Sequence, residues 1–593
     1  MSPPPGFSPA PAILVLGTHS LATARQIQAA LPGSQIYGLA SRIEASQVEV
    51  SFSEFGPTLR QLFASAVPII GLCATGILIR SLAPLISDKR QEPPVLAVAE
   101  DGSAVVPLLG GLQGVNPLAR QIGAALQIAP AITTSGDLRF HTALLAPPTG
   151  YRLANPDDAK TILADLLAGA AVKLTGTAPW LSQSQLPFSD RAEISLEVTE
   201  RAVDLSRPPQ AKPDRLVYHP HTLAIGLDSA NLASANLAST TLASSPPDAV
   251  TLVLQQLALA GLAPAAVAGV FGPVEAAGDP VIHAVAEALQ VAARFLPVAE
   301  SPDRAAALAL EAVGPAGRLI SAAPGWAIAV APLPLEVQTI GRPQGRLAIV
   351  GTGPGWTDWM TPEVKALLQT ATDWVGYTTY LNLVEPLRQG QQRHDSDNRV
   401  ELDRARLALN LAAQGRSVAL ISSGDPGIYA MATAVFEVMA TPEPAWQQVA
   451  IQVAPGISAL QAAAARIGAP IGHDFCAVSL SDILKPWSII AERISAAAQA
   501  DFVIAFYNPV SSQRTWQLDK ARDLLLAHRS PETPVVLARN VGRLGESLRL
   551  IALADLSADQ VDMRTLVLVG SSKTRRIDHA QGTWVYTPRS YGP

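Results

Sequence analysis

The chain has 593 residues, more than a single hydrophobic core ordinarily supports, so several domains are expected. Hydrophobic residues make up 48% and charged residues 16%, a balance that excludes a disordered chain. A formal net charge of −6 excludes a general nucleic-acid binder, which needs a basic surface to neutralise phosphates.

The only cysteines, Cys73 and Cys476, are far apart and have no metal-ligand partner at short spacing. Neither a disulfide framework nor a metal site is implied, and a reducing cytoplasm is expected. The opening MSPPPGFSPAPAILVLG lacks a basic segment followed by an apolar one, so no export signal is expected. The most apolar stretch, residues 64–79, is interrupted at Pro68, Gly71, Thr75 and Gly76 and ends at Arg80. It falls short of the ~20 residues of a membrane span, and no membrane association is expected.

Taken in chain order, AILVLG (12–17) is an apolar run ending in glycine, and HSLATARQIQAAL after it has helical character. Similar pairs recur at 67–86 and at 95–111, followed by a helix over 116–126. Strands buried on both faces and alternating with helices indicate a multidomain α/β protein with largely parallel sheets. A first domain is expected over 1–175. Residues 176–221, rich in Ser, Pro and charge, read as a linker or poorly ordered crossover. A second small α/β domain over 222–340 has strands at 223–227 and 267–272. Between them the near-repeat ANLASANLASTTLASS (230–245) reads as a surface insertion. A third domain, 346–593, opens on RLAIVG and divides into parts of about 346–455 and 456–593.

This third part carries the clearest chemistry. RLAIVGTGPGW (346–356) is a strand entering a glycine turn, where missing side chains let backbone amides approach a ligand. A dinucleotide fingerprint requires G-x-G-x-x-G and an acidic residue closing the next strand. Here Gly351, Gly353 and Gly355 alternate and Asp373 precedes its strand, which disfavours a nicotinamide-dependent oxidoreductase. RSVALISSGDPGIYAMA (416–432) is a second strand with a tight turn at its tip, the place where open α/β sheets hold ligands. VAPGISALQAAAARIGAPIGHDF (453–475) adds a Pro-Gly turn and Ser458, an expected helix N-cap.

In this order, together with VGYTTYLNLV (375–384), GHDFCAVSLSDILKPW (472–487), DFVIAFYNPVSSQRTWQL (501–518), RNVGRLGES (539–547), VDMRTLVLVGSSKTR (561–575) and TPRSYG (587–592), these motifs resemble the tetrapyrrole methylase family. Within it they are similar to the precorrin-3B C17-methyltransferases of cobalamin biosynthesis. The departure is HDSDNRVELDRAR (394–406), where that family has a small residue and glycine near Asp397 and Asn398. The resemblance implies a two-lobed α/β enzyme, a homodimer, binding S-adenosylmethionine between its lobes and an acidic tetrapyrrole as substrate. It puts Pro354, Gly424, Asp425, Pro426, Ile428, Tyr429, Ser458, Ala459, Tyr507, Asn508 and Thr565 at the cofactor. The family reaction also contracts the macrocycle, which requires proton management, for which His473, Asp474, Ser481 and Asp482 are candidates. His473 is equally readable as a buried histidine fixing a loop. Arg514, Arg539 and Arg543 could hold peripheral carboxylates through paired hydrogen bonds, or be solvated surface groups.

In the front part, residues 71–89, 97–111 and 114–137 resemble the cobalt-precorrin-5A hydrolases, which open a lactone on a ring-contracted corrin precursor and release acetaldehyde. The resemblance makes Thr75, Gly76, Arg80, Gly110, Gly111, Asn116 and Asp137 binding candidates. Glu100 or Asp101 would activate water or relay a proton, the alternative being a turn carboxylate. Where the family has a histidine after the paired glycines this chain has Leu112, followed by Gln113 and Gly114. Asp228 and Ser229 replace a basic loop, and Val274 and Glu275 stand where a lysine is usual. A second reading therefore stays open: a non-catalytic tetrapyrrole-binding front half behind an active methyltransferase.

Overall fold

A computed structural model describes residues 10–590 apart from 90, 207–211, 233–244, 389, 398–399, 512, 581 and the side chain of 45. The chain divides into two compact units, Met1–Pro343 and Gln344–Pro593.

In the first unit, the four-residue runs Ala12–Val15, Ile69–Leu72 and Val95–Val98 are apolar throughout and wholly buried, because helices cover both faces of the sheet they build. The strand order is Val50–Phe52, Gln35–Leu39, Ala12–Val15, Ile69–Leu72, Val95–Val98 and Val105–Leu109. All neighbours are parallel except the last pair. Helices Leu21–Ala30 and Val115–Leu126 bury Ala24, Ile27, Leu118 and Ile122 on one face. Helices Phe55–Ala64 and Thr75–Leu82 bury Leu59, Phe63, Leu78 and Leu82 on the other.

The expected linker over 176–221 is corrected by the structure. Strands Ile194–Val198 and Arg215–Pro220 lie inside a four-stranded sheet, flanked by Val172–Thr175 and Tyr151–Leu153. Leu181, Leu186, Leu196, Leu216 and Tyr218 form its core, and the buried Tyr218 hydroxyl donates to the Leu144 carbonyl at 2.8 Å. Residues 183–190 of the Ser- and Pro-rich run connect helix Pro179–Ser182 to strand Ile194–Val198, and residues 207–211 lie outside the described residues. Strands Tyr151–Leu153 and Val172–Thr175, expected in the first domain, belong to this second sheet. The third sheet, Ala292–Leu296, Val267–Pro273, Leu223–Leu227, Trp326–Val330 and Arg318–Ala323, is parallel over its first three strands and antiparallel over the rest. Of the repeat at 230–245, residues 233–244 lie outside the described residues.

The second unit contains two five-stranded sheets. The first, ordered Gln392–Ser396, Asp373–Tyr377, Ser417–Ser422, Arg346–Gly351 and Ala450–Ala454, is parallel throughout, so every strand delivers its loop to the same edge. The second runs Phe475–Ser479, Val503–Tyr507, Thr565–Val569, Pro534–Arg539 and Ser547–Ala552. Only its first pair is parallel. Among the described residues no helix is long and apolar enough to cross a membrane, and no group of three acidic, His or Cys side chains could hold a metal ion.

Candidate functional site

Three loops leave adjacent strands at the carboxyl edge of the parallel sheet and meet backbone to backbone. A Cβ on Gly351 would stand 2.6 Å from the Gly424 carbonyl oxygen and 2.7 Å from the Gly456 nitrogen; one on Gly456 would stand 2.2 Å from the Gly424 oxygen. Only glycine permits this approach. Gly353 and Gly424 both have positive φ and exchange backbone hydrogen bonds at 3.2 and 2.8 Å, closing a two-residue bridge between the turns. Toward Ser458 and Ala459, Gly424 is open: the nearest atoms to its Cβ position are 3.9 and 4.0 Å away. A ligand can therefore lie against the turn's backbone there, the expected place for one in an open α/β sheet.

Asp425 locks the arrangement. One carboxylate oxygen accepts from the Gly427 amide at 2.8 Å and the other from the Gly456 amide at 3.2 Å. Its role is to brace the 424–427 turn, flanked by Pro426, against the Pro-Gly turn. Ser458 caps helix Ala459–Ile467 as expected, in a reciprocal capping box with Gln461. From the second sheet the Tyr507 hydroxyl accepts from the Leu460 amide at 3.2 Å, and its ring lies 5.3 Å from that of Tyr429. Tyr429, in the left-handed region, donates to the Ala477 carbonyl at 2.8 Å. Burial pushes both phenols upward, so both stay protonated near neutrality. Asn508 donates to Ser479 Oγ at 3.1 Å, and the same oxygen accepts from the Ser481 amide at 3.3 Å. Thr565 opens a strand whose antiparallel register brings it to the Asn508 end of the sheet. Ile428 is 37% exposed at the turn's tip. Thus Gly424, Asp425, Pro426, Ile428, Tyr429, Ser458, Ala459, Tyr507, Asn508 and Thr565 share one locality, with Pro354 in the adjoining glycine turn.

The catalytic candidates divide. Ser481 and Asp482 lie just past the carboxyl end of Phe475–Ser479, where Asp482 accepts from Gln517 at 3.0 Å. His473 and Asp474 precede that strand, and the Val503 amide donates to the Asp474 carbonyl at the amino end of the neighbouring strand. Five residues of extended chain separate them from Ser479, roughly 16 Å. His473 and Asp474 thus stand at the amino end of that strand, away from the Ser479–Asn508 contact. Replacing His473 by alanine is expected to leave kcat/KM for methyl transfer within about threefold, since substitutions away from special features cost little. Steady-state kinetics check this.

The arginines expected at carboxylates are engaged by the protein itself. Arg514 is buried, donates to the Asn508 carbonyl at 3.0 Å and lies 4.0 Å from Asp482, and burial lowers its pKa. Arg539 pairs with Asp562 at 2.9 Å, and Asp562 in turn accepts from Thr565 at 2.9 Å. Arg543 reaches back to the glycine turn. Asn398, near the departure from the family pattern, lies outside the described residues. Sequence reasoning missed a bracket beside the glycine turn. There Arg466 stacks over Trp356 and Trp359 at 4.6 and 4.5 Å and pairs with Glu546 at 3.0 Å, and Glu546 accepts from the Gly542 amide at 2.8 Å. No spacing rule links partners so far apart in sequence.

In the first unit the candidates fall at opposite edges of the six-stranded sheet. At the carboxyl edge stand Thr75, Gly76, Glu100 and Asp101, with the Arg80 guanidinium folded back to 3.1 Å from the Cβ position of Gly76. His19, which the motifs did not single out, hydrogen-bonds Glu100 through Nε2 at 2.8 Å. Asp101 accepts from the Ser103 amide and hydroxyl at 3.0 and 2.6 Å, bonds that hold its carboxyl below the usual range. Burial, with the Glu100 charge adding, pushes the nearby Cys73 thiol up to about 11, which leaves no thiolate nucleophile. The antiparallel Val105–Leu109 strand carries Gly110 and Gly111 to the amino edge, where the Cβ position of Gly110 is 2.5 Å from the Pro93 carbonyl. There too, Asn116 donates to the buried Asp137 at 2.5 Å, and Arg120 pairs with the same carboxylate. A cavity of about 380 Å³ adjoins, lined by Lys89, Leu112, Gln113, Leu145, Pro156, Asp157 and Lys160.

The family model described as tetrapyrrole (corrin/porphyrin) methylases matches residues 346–557, and the one described as cobalamin synthesis G N-terminal matches residues 57–137. The cobalamin biosynthesis protein CobIJ of Mycobacterium bovis is 53% identical over 251 residues, covering 42% of this chain and 48% of that protein. This chain thus spans about half the length of the mycobacterial relatives it matches. The precorrin-3B C(17)-methyltransferase of a Sinorhizobium species is 47% identical over 248 residues, 42% of this chain and 97% of that protein. Among solved structures, that of the methyltransferase CobJ is 47% identical, with a TM-score of 0.39, over 41% of this chain and all of the other.

Proposed function

The chain belongs, through its C-terminal unit, to the tetrapyrrole (corrin/porphyrin) methylases, and from that membership we propose that this unit methylates precorrin-3B or its cobalt form at C17, with ring contraction to the precorrin-4 stage. The observation that carries the reading is the junction of the Gly351, Gly424 and Gly456 loops beside the capped helix at Ser458. These residues fit S-adenosylmethionine, which supplies an electrophilic methyl group on a sulfonium sulfur. The open face of Gly424, the helix start at Ser458–Ala459 and the paired rings of Tyr429 and Tyr507 would bind and orient it. The chain's main catalytic contribution is alignment and exclusion of water. Ser481 and Asp482, adjoining Asn508, are the groups available to hold or move a proton during contraction. We propose a homodimer acting in the cytoplasm on an acidic tetrapyrrole.

For the first unit we propose, as a second activity, opening of the cobalt-precorrin-5A lactone at the carboxyl edge, with Glu100 and its partner His19 as the acid-base groups. A second reading is a non-catalytic module that retains the tetrapyrrole. It is favoured by Leu112 in place of histidine and by the cavity beside it, whose Lys89 and Lys160 suit a carboxylated ligand. Sustained acetaldehyde release from the lactone intermediate would refute a purely binding role.

The deciding experiment is mass spectrometry after supplying S-adenosylmethionine with precorrin-3B and, separately, with its cobalt form. Gain of one methyl group is expected, and failure with both sinks the methyltransferase reading. Tight binding of NAD in its place would revive the oxidoreductase.

A further inference from the structure

Resting on the methyltransferase reading, we infer that Arg543 is a positioning residue for the cofactor-binding turns, acting from the second sheet of the C-terminal unit on the first, and not a ligand of substrate carboxylates. Its Nε donates to the Pro354 carbonyl at 2.6 Å, and its Nη2 donates to Ser423 Oγ at 2.6 Å. Ser423 lies 3.4 Å from the Gly353 carbonyl, to which its hydroxyl donates. One guanidinium thereby orients two consecutive carbonyls of the glycine turn, one directly and one through Ser423. A carbonyl and the following amide point in opposite directions across a planar peptide. Fixing the Pro354 carbonyl therefore fixes the plane that carries the Gly355 amide.

The backbone fits this contact tightly. A Cβ on Gly355 would stand 2.3 Å from the Gly542 carbonyl and 2.4 Å from Arg543 Cγ, so the loop bearing Arg543 lies directly on the turn. Burial depresses the pKa of Arg543, as for a guanidinium withdrawn from solvent. A side chain so engaged has its planar fork committed to fixed acceptors, an arrangement that the compact ammonium of lysine cannot reproduce. The turn it orients shares the Gly353–Gly424 bridge with the turn that opens toward Ser458. Arg543 accordingly acts on cofactor affinity through the backbone.

Calorimetry of the full chain with S-adenosylhomocysteine, and kinetics with both substrates, test this. Arg543→Ala is expected to weaken S-adenosylhomocysteine at least about tenfold, as loss of charge-assisted bonds predicts, with Arg543→Lys in between. Ser423→Ala, which removes one leg and leaves the fold's core untouched, is expected to weaken it about threefold. KM for S-adenosylmethionine should rise in step, while KM for the tetrapyrrole stays within about twofold. A raised tetrapyrrole KM with unchanged S-adenosylhomocysteine affinity would overturn the inference and restore Arg543 as a carboxylate ligand. Unchanged affinity in all three variants would overturn it alone. Lack of binding by the unaltered chain would overturn the methyltransferase reading and the inference together.

Discussion

Replacing Asp425 by alanine should lower kcat/KM for methyl transfer about a hundredfold or more, with little change in the unfolding midpoint. The side chain bonds two amides, Gly427 in its own turn and Gly456 in the neighbouring loop. Hydrogen bonds to a charged acceptor contribute about 1.5–3 kcal/mol each, and 1.4 kcal/mol is a factor of ten in rate. Most of that energy holds the open face of Gly424 in place rather than the fold, because the turn sits at a sheet edge with the hydrophobic core beneath it intact. Asp425→Asn keeps an acceptor for one amide and should recover part of the loss. Kinetics of both variants, read with thermal unfolding, check the separation. A loss of activity matched by a collapse of stability would refute it.

The second large effect is on stability. Asp373 is fully buried and opens its strand, at the end of the sheet away from the glycine turns. It pairs with Arg416 Nε at 2.7 Å, accepts from Thr372 Oγ1 at 2.7 Å, and hydrogen-bonds His394 Nε2 at 2.8 Å. Three adjacent strands are thus tied through one carboxylate. Asp373→Ala leaves a guanidinium and an imidazole facing a void, and removing one partner of a buried charge pair costs about 3–5 kcal/mol. Arg416 is 34% exposed and water will recover some of this, so about 3 kcal/mol is the expected loss. The midpoint of the C-terminal unit should fall by roughly 6–12 °C. Calorimetry measures it, and a shift of under about 2 °C would show that the triad is not cooperative.

Much of the C-terminal unit was legible in the sequence. RLAIVG forms a strand over its full length, and Ser458 caps its helix, because both depend on local chemistry: an apolar run between breakers and a hydroxyl three residues before a free amide. The segment 176–221 was misread for the opposite reason. Ile194–Val198 alternates buried and half-buried residues in a run too short to stand out among prolines and charges, and only its neighbours in the sheet make it a strand.

The roles of individual polar residues were less legible. The GHDF motif was visible, but which end of the sheet His473 occupies depends on the parallel register with Val503–Tyr507. Arg543 and Pro354 are 189 positions apart, and no periodicity connects them. Likewise, the reversal of Val105–Leu109 separates Gly110 and Gly111 from Glu100, although all lie within one short stretch of sequence.

By itself the sequence determined the α/β class, the glycine turns and the order of motifs that resembles the tetrapyrrole methylases, since strand burial, turn geometry and capping are set by residues within a few positions of one another. The tertiary structure alone decided which carboxylates brace turns, which arginines are consumed in holding loops, and which edge of a sheet each candidate reaches. Those outcomes depend on strand direction and on partners brought together by folding, and a buried charge takes whatever partner the fold supplies.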